Sequence, residues 1–550
     1  MRMVSQMQMH GRINCQLFQD YISQAGNIAQ LHTQISSCDG ILGRMENLLL
    51  SFQTDLGSIS CEILNLQQES VEMNLRLKNR QSVRGELSQF VDDLVVTELL
   101  IITIMEAPVG EVVFLEQLQI LDHKIEFLKE QSFKEARAAT DVKDVLEKLK
   151  IKAVAKIREY FLQKINQFKK PLANYQIPQN AMLKYKFYFH FLQKFNRAVA
   201  TEVRDEYLDT MSKIMFSYFK SYSGRLAKLQ YEESASRDDL LGSEESQTKG
   251  FFFKPSLKNK STVFSVGVRD EVLTSELEAP IIVPHAGQNK DTRYPYEMLF
   301  RSLLYALVDN ACREFLFISE FFNLDSNTAQ DLFNNIFGKT LSLLLKDVEG
   351  SVCDSFDSIS IFLCIHLVQR YQLLCHKRCV SGLDKYFDSL NTVLWPRLTS
   401  VMQSNITSVR DFDTIKRRPV DMRPHYTTRR YSEFSAAIVG INETFPHEAM
   451  NRLLALMQEE MEGLVLRLAS QFQGRKEQLL FLINNYDLVM SILVERTKDD
   501  SKESETFREQ LKVRSEELVT LILESHFGPL IQWSKEAERK LDTGDLEAGL

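Results

Sequence analysis

Between residues 28 and 77 the apolar side chains recur at alternating spacings of three and four. The positions are Ile28, Leu31, Ile35, Cys38, Leu42, Met45, Leu49, Phe52, Leu56, Ile59, Ile63, Leu66, Ser70, Met73 and Leu77. Fourteen of these fifteen are apolar, and the stretch contains no proline. An apolar repeat of 3.5 residues keeps one narrow stripe of an α-helix aimed at a neighbouring helix, so a coiled-coil strand is expected. A helix from about residue 14 to 78 would be on the order of 100 Å long at 1.5 Å per residue, too long to satisfy its stripe within a compact domain of its own. It needs partner helices.

The flanks of the stripe say something about those partners. His32, Asp39, Glu46, Gln53, Ser60, Gln67 and Asn74 line one side, and Gln34, Ile41, Leu48, Asp55, Glu62, Glu69 and Arg76 the other. A parallel pair of identical helices would gain few opposite-charge contacts from that set, and Ile41 and Leu48 widen the seam toward a bundle of more than two strands. A hetero-oligomeric bundle is the favoured reading. A long antiparallel hairpin with the next helix of the same chain is the alternative.

The rest of the chain also reads as helix. After Ala107-Pro108 a second run carries Leu118, Leu121, Ile125 and Leu128, then Ala139, Val142, Leu146, Leu149 and Ala153, a natural strand to lie beside the first. From 143 to 170 its polar face holds nine Lys or Arg against Asp144, Glu147 and Glu159, which suits a solvated face or an acidic or anionic contact. Residues 182 to 195, MLKYKFYFHFLQKF, interleave aromatics with lysines but continue a helical pattern, so a buried phenylalanine-rich helix is expected rather than a base-stacking platform. Residues 232–295 lose the helical period and collect acidic clusters and prolines; they read as a linker or insertion, mobile at its acidic end, whose residues 234 to 247 should be dispensable for folding. Dense apolar helices return at 296. A basic linker at 410–430 holds seven Lys or Arg against three Asp, and amphipathic helices follow. The organisation expected is therefore 1–106 coiled-coil assembly region, 107–231 second helical region, 232–295 linker, 296–409 bundle, 410–430 basic linker, and 431–550 C-terminal bundle. Within the basic linker Lys416, Arg417 and Arg418 are the candidate membrane or acidic-partner contact.

Composition agrees with an all-α chain. With 21 glycines and 12 prolines in 550 residues, turn formers stand at about half their usual share, which disfavours sandwiches, barrels and propellers. Sixty-six Lys or Arg against 74 Asp or Glu leave a net charge of −8, unlike a surface built to neutralise nucleic-acid phosphates, so no nucleic-acid partner is expected. Eight cysteines at irregular spacings suit a reduced cytosol better than a disulfide framework. The first twenty residues hold no apolar run of signal-peptide length, and the greasy stretches at 94–105 and 358–368 are too short or interrupted to span a bilayer. Membrane contact is expected to be peripheral or through partners.

The fragments that resemble catalytic motifs each lack a residue that the chemistry needs. Gly338-Lys339-Thr340 has Phe333 where a phosphate loop needs its first glycine, so it reads as a piece of helix. His447-Glu448 has Asn451 where a zinc-protease helix needs its second histidine. Cys375, His376 and Cys379, with Cys364 and His366 nearby, are metal-ligand types on one helix but lack a second close pair, so no metal is expected. No cofactor motif occurs, and no enzyme is expected.

Five blocks carry a more specific signal: LRLKNRQSVRGELSQFVDDLVV (75–96), KAVAKIREYFLQKINQFKKPLANYQIP (152–178), RYPYEMLFRSLLYALVDNACREFLFISEFF (293–322), RPHYTTRRYSEFSAAIVGIN (423–442) and RKEQLLFLINNYDLVM (475–490). In that order they resemble the vacuolar protein sorting-associated protein 52 family, a subunit of the Golgi-associated retrograde protein (GARP) tethering complex and of its endosomal sister complex. The resemblance covers nearly the whole chain. Family members typically carry a further N-terminal tail and more helix beyond the equivalent of Leu550, so a partial chain or shorter isoform is expected. The resemblance implies an all-α fold: a long N-terminal coiled coil followed by elongated helical-bundle rods of the multisubunit tethering-complex type. It also implies other coiled-coil subunits, SNAREs and small Golgi GTPases as partners, and peripheral placement on the cytosolic face of the trans-Golgi network and endosomes. Without the resemblance, the same pattern would also suit a cytoskeletal or motor-adaptor scaffold, or a peripheral lipid-binding protein.

Overall fold

The computed structural model describes residues 25–132, 137–170, 174–231, 235–243, 263–274, 277, 279–284, 292–416, 421–496 and 502–542. The chain is all-α, as expected. Among the described residues the one β pairing is an isolated parallel bridge between Gln230 and Tyr294. Contacts divide the chain into two units, one of Met1–Thr103 with Gln117–Leu149, the other of Ile104–Glu116 with Lys150–Leu550.

The first unit is dominated by α1 (Ala25–Leu94), a single helix of 70 residues. It is followed by α2 (Glu98–Glu106), α3 (Val112–Ser132) and α4 (Arg137–Phe168), of which residues 104–116 and those from Lys150 onward belong to the second unit. The last turn of α1 holds no basic residue of its own. Lys124 of α3 supplies the cation instead, its Nζ donating to the carbonyls of Asp92 (2.6 Å) and Asp93 (3.2 Å). Two carbonyls that a helix end leaves unpaired are thereby satisfied. Phe127 of α3 meets Phe90 edge-on, with centroids 5.7 Å apart. The second helical run thus meets α1 at its C-terminal turns.

The second unit is built from α5 (Gln176–Lys184), α6 (Lys186–Phe195), α7 (Arg197–Ala227), α8 (Tyr296–Phe321), α9 (Ser326–Cys353), α10 (Ser358–Lys377), α11 (Asp384–Arg410), α12 (Tyr426–Asn442), α13 (Glu448–Ala469), α14 (Arg475–Arg496) and α15 (Lys502–Asp542). At its centre, α10 packs against α8, α11 and α12, while α7 packs on α9, α11 on α13, and α14 on α12 and α15. All residues from 358 to 368 are buried, so this helix is apolar all round because it is surrounded, not because it meets lipid. It is long and apolar enough to cross a bilayer, and 72% of that stretch is buried in the structure. His366 lies in it between Phe362 and Phe445. Burial pushes its imidazole down to about 4, so it stays neutral at pH 7 and adds no charge to the core.

The aromatic run at 182–195 is core, with Tyr188, Phe189 and Phe191 buried. It is two helices rather than one, broken at Tyr185 (φ −112°, ψ 33°). The hydroxyls of Tyr185 and Tyr188 donate to the carbonyls of Gly110 (2.5 Å) and Val109 (2.7 Å), so rings that bury apolar area still find acceptors in the turn after Pro108. Gly338-Lys339-Thr340 lies inside α9, as helix. The basic face of α4 is partly matched within the unit: Arg158 pairs with Glu202, and Lys169 with Glu206 at 2.9 Å, both acids on α7. Lys156 donates to the carbonyls of Ile104, Met105 and Ala107, capping α2.

Residues 232–295 leave the helical chain and return to it. The bridge between Gln230 and Tyr294, with Tyr294 N–H donating to the Leu229 carbonyl at 2.9 Å, closes the excursion at its base. Its described parts are anchored rather than loose. Leu241 is fully buried, and Ala235, Leu240, Phe264 and Val272 are buried with it. The Leu241 N–H donates to Asn405 Oδ1 (3.1 Å) and the Gly242 N–H to Ser408 Oγ (3.1 Å), both on α11. A Cβ on Gly242 would lie 2.1 Å from the Ser408 carbonyl oxygen, so only glycine allows this approach. A short irregular segment can bury two leucines with no period at all, which is why pattern reading missed it. The acidic clusters at 232–233 and 244–245 lie outside the described residues.

A second anchor is ionic. Arg269, buried, donates from Nε to Glu297 of α8 at 2.5 Å and from Nη2 to Asp357 at 2.7 Å. Asp357 also caps α10, accepting from the Ser360 N–H at 2.9 Å, and Ser360 Oγ donates to Glu297 at 2.7 Å. Burial raises the Asp357 carboxyl despite the adjacent guanidinium. A third polar node joins α5, α7 and α8, where the buried Glu314 accepts from Tyr207 (2.6 Å) and Gln179 (2.7 Å). Burial lifts its carboxyl to about 7.

Candidate assembly surface on the N-terminal helix

The seam residues expected from the sequence lie on α1, and the helix presents the described ones to solvent. Met45, Leu49, Phe52, Leu56, Ile59, Ile63, Leu66, Met73 and Leu77 are between 49% and 66% exposed. Ile28, Leu31, Ile35 and Leu42 belong to the same helix, but their side chains lie outside the described residues. Among the described residues no helix covers the seam from Met45 to Leu77, whose side chains are exposed, so the described part of the chain forms no intramolecular hairpin over that stretch.

Burying a leucine, isoleucine, methionine or phenylalanine contributes on the order of 1.5–3 kcal/mol, so a row of nine such residues is a strong demand for a partner. The helix has little else to sustain it. Gly40, Gly43, Gly57 and Gly85 lie within it, each costing about 1 kcal/mol relative to alanine, and a Cβ at any of them would meet nothing within 4 Å. Apolar residues also appear outside the expected seam: Ile41 and Leu48 on one flank, and Leu50, Leu64 and Val71 beyond the other, all exposed. The last three follow one heptad position, adjacent in sequence to the Leu49–Ile63–Ser70 row. The heptad pattern contained that signal, and only its off-seam position concealed it.

The basic segment between α11 and α12 is a different kind of surface. Lys416 is exposed and pairs with Asp413 at 3.4 Å, and Ile415 beside it is 72% exposed. Arg417 and Arg418 lie outside the described residues. At the segment's edges the cations are matched: Arg410 with Glu460, Arg423 with Asp421 and Arg429 with Glu433. Arg430 donates to the Ser243 carbonyl at 2.8 Å and lies over the rings of Phe264 and Tyr426.

The candidate metal-ligand cysteines and histidines do not converge. Cys375 Sγ lies 3.9 Å from Cys312 Sγ of α8, His376 faces Asp384, and Cys379 is exposed. Among the described residues no group of three or more His, Cys, Asp or Glu could hold a metal ion.

Comparison with known proteins supplies the family. Residues 20–192 match the coiled-coil region of the Vps52/Sac2 family, and residues 209–519 match the Vps52 C-terminal region. The chain is 52% identical to the vacuolar protein sorting-associated protein 52 homolog of Rattus norvegicus over 529 residues, which cover 96% of this chain and 73% of that protein. Identity to the Homo sapiens homolog is 51% over the same shares. Identity to vacuolar protein sorting-associated protein 52 A of Arabidopsis thaliana is 36%, over 95% of this chain and 73% of that protein. A seam-bearing coiled-coil segment followed by a helical C-terminal region, matched in order and over nearly its full length, places this chain in the vacuolar protein sorting-associated protein 52 family.

Proposed function

We propose that this chain is a non-enzymatic subunit of a multisubunit vesicle-tethering complex. It would capture carriers in retrograde transport from endosomes to the trans-Golgi network and in endosomal recycling, and promote their SNARE-dependent fusion. The observation that carries the reading is the solvent-facing heptad row of α1 on a chain of this family. Such a row holds a subunit among other coiled-coil subunits, in a hetero-oligomer of the GARP type. In this reading residues 1–106 and 107–231 serve assembly. The helices of 296–409 and 431–550 meet SNAREs and small Golgi GTPases, with the protein peripheral on the cytosolic face of trans-Golgi and endosomal membranes.

The test is to replace Leu42, Leu49 and Leu56 by aspartate. Each charge costs several kcal/mol if it stays in a dehydrated helix interface. The variant is expected to drop out of the isolated complex while its thermal unfolding stays as in the native chain, because Leu49 and Leu56 touch no core. Co-isolation of the variant with coiled-coil subunits in normal amount would remove the seam from the proposal.

A membrane or acidic-partner contact is proposed at Lys416, Arg417 and Arg418, supported by the exposed Ile415–Lys416 pair. Each cation near an anionic leaflet contributes about 1 kcal/mol, enough to supplement a protein receptor but too little to recruit the chain alone. Changing all three to glutamate should leave the complex assembled while flotation on anionic liposomes and Golgi recruitment both fall. If flotation and localisation are unchanged, the segment 410–430 is only a connector.

A further inference from the structure

The seam of α1 does not end at Leu77. Continued at the same spacing, its next core positions are Arg80, Arg84, Leu87, Val91 and Leu94. Two successive layers are therefore arginine, between an apolar row on one side and Leu87 and Val91 on the other. Both arginines are exposed. Arg76 just before them pairs with Glu72 at 2.9 Å, whereas among the described residues no carboxylate lies against Arg80 or Arg84.

Charge along the helix is segregated around the same point. From 40 to 72 the helix carries Glu46, Asp55, Glu62, Glu69 and Glu72 against Arg44 alone. From 73 to 85 it carries Arg76, Lys78, Arg80 and Arg84 and no acid. A guanidinium at a core position needs a carboxylate facing it once the interface excludes water, because an unpaired buried charge is among the costliest defects in a packed interface. A parallel, in-register copy of the chain cannot provide that: it sets arginine against arginine, and the flank positions beside them, Arg76, Gln81, Val83 and Ser88, hold no acid. An antiparallel copy, with Glu62 and Glu69 on its flank, is the competing occupant.

We propose that Arg80 and Arg84 form a register-setting polar layer. Its occupant is a helix of a different polypeptide that is apolar at its own core positions, carries carboxylates level with these two arginines, and carries cations opposite residues 46 to 72. Charged layers of this kind specify register and partner more than they add affinity. The inference rests on the reading of α1 as an assembly seam.

The seam can be tested with a partner of known chemistry, namely a second full-length copy bearing Arg80→Glu and Arg84→Glu. Tagged native chain is expected to retain at least about tenfold more of this copy than of an untagged native copy, a difference of about 1.4 kcal/mol. Equal retention of the two copies, retention of neither, or better retention of the native copy, the mark of antiparallel self-pairing, overturns the proposal. In the complex isolated from cells, Arg80→Glu with Arg84→Glu should lose the partner chains, while Arg80→Met with Arg84→Met keeps them but scatters the inter-chain crosslinks over more than one heptad register. If the aspartate variant of Leu42, Leu49 and Leu56 loses its partners while the Arg80→Glu, Arg84→Glu variant keeps them, the seam stands and the arginine layer falls. If both variants keep them, the seam itself is wrong.

Discussion

Replacing Arg269 by alanine is expected to destabilise the second unit by about 3–5 kcal/mol, the range found when one partner of a buried ion pair is removed. The geometry explains the size. Arg269 sits in the short 3₁₀ helix Gly267–Asp270 and bridges Glu297 of α8 to Asp357, the cap of α10. Without it, Glu297 keeps Ser360 Oγ and Asp357 keeps the Ser360 N–H, but the buried Glu297 and the part-buried Asp357 face each other uncompensated. The pH dependence has a definite sign. Burial already raises the Asp357 carboxyl above its unfolded value; losing the cation raises it further, and a group so raised is best accommodated while protonated. The stability deficit should therefore shrink as pH falls from about 8 to about 5. Adding Glu297→Gln should recover part of the loss by removing one of the two charges. Thermal unfolding across that pH range checks all three statements. A melting temperature unchanged in the single variant would mean that the bridge contributes nothing net.

How much of this could be read from the sequence depended on the kind of signal each feature leaves. The exposed heptad row of α1 was legible because its apolar side chains recur every 3.5 residues, and nothing in that stretch interrupts the repeat. The all-α architecture followed from similar periodicities and from scarce turn formers. Arg269 was illegible because its partners stand 28 and 88 residues away, and a single charged residue in a non-periodic stretch looks the same whether solvated or buried. The break at Tyr185 was hidden for another reason: the aromatic pattern continues through it, while the hydroxyls of Tyr185 and Tyr188 reach the distant carbonyls of Gly110 and Val109. Lys124 and Lys156 belong to the same class. Each reads as one more cation on a polar face, yet each caps the end of another helix.

Deleting residues 234 to 247 is the sharper test of that distinction, because pattern and structure predict opposite results. A loop without a periodic apolar face should be dispensable, since closure entropy changes by only about 0.6 kcal/mol per doubling of length. The structure predicts a fall of many degrees in melting temperature. The deletion removes the fully buried Leu241 and the buried Leu240 from their site against α11. A large-to-small change at a site like that of Leu241 typically costs about 2–5 kcal/mol on its own. It also takes from the buried Asn405 Oδ1 the Leu241 N–H that it accepts, and an orphaned buried acceptor costs about 1–3 kcal/mol. Two point variants separate these contributions from loop length. Leu241→Ala leaves the backbone hydrogen bonds possible and should lose only the packing. Gly242→Ala adds a single methyl group, yet it should destabilise too, because that methyl would meet the Ser408 carbonyl 2.1 Å away and push the segment off α11. If the deletion, Leu241→Ala and Gly242→Ala all melt with the native chain, the segment is not part of the core and the sequence pattern was the better guide.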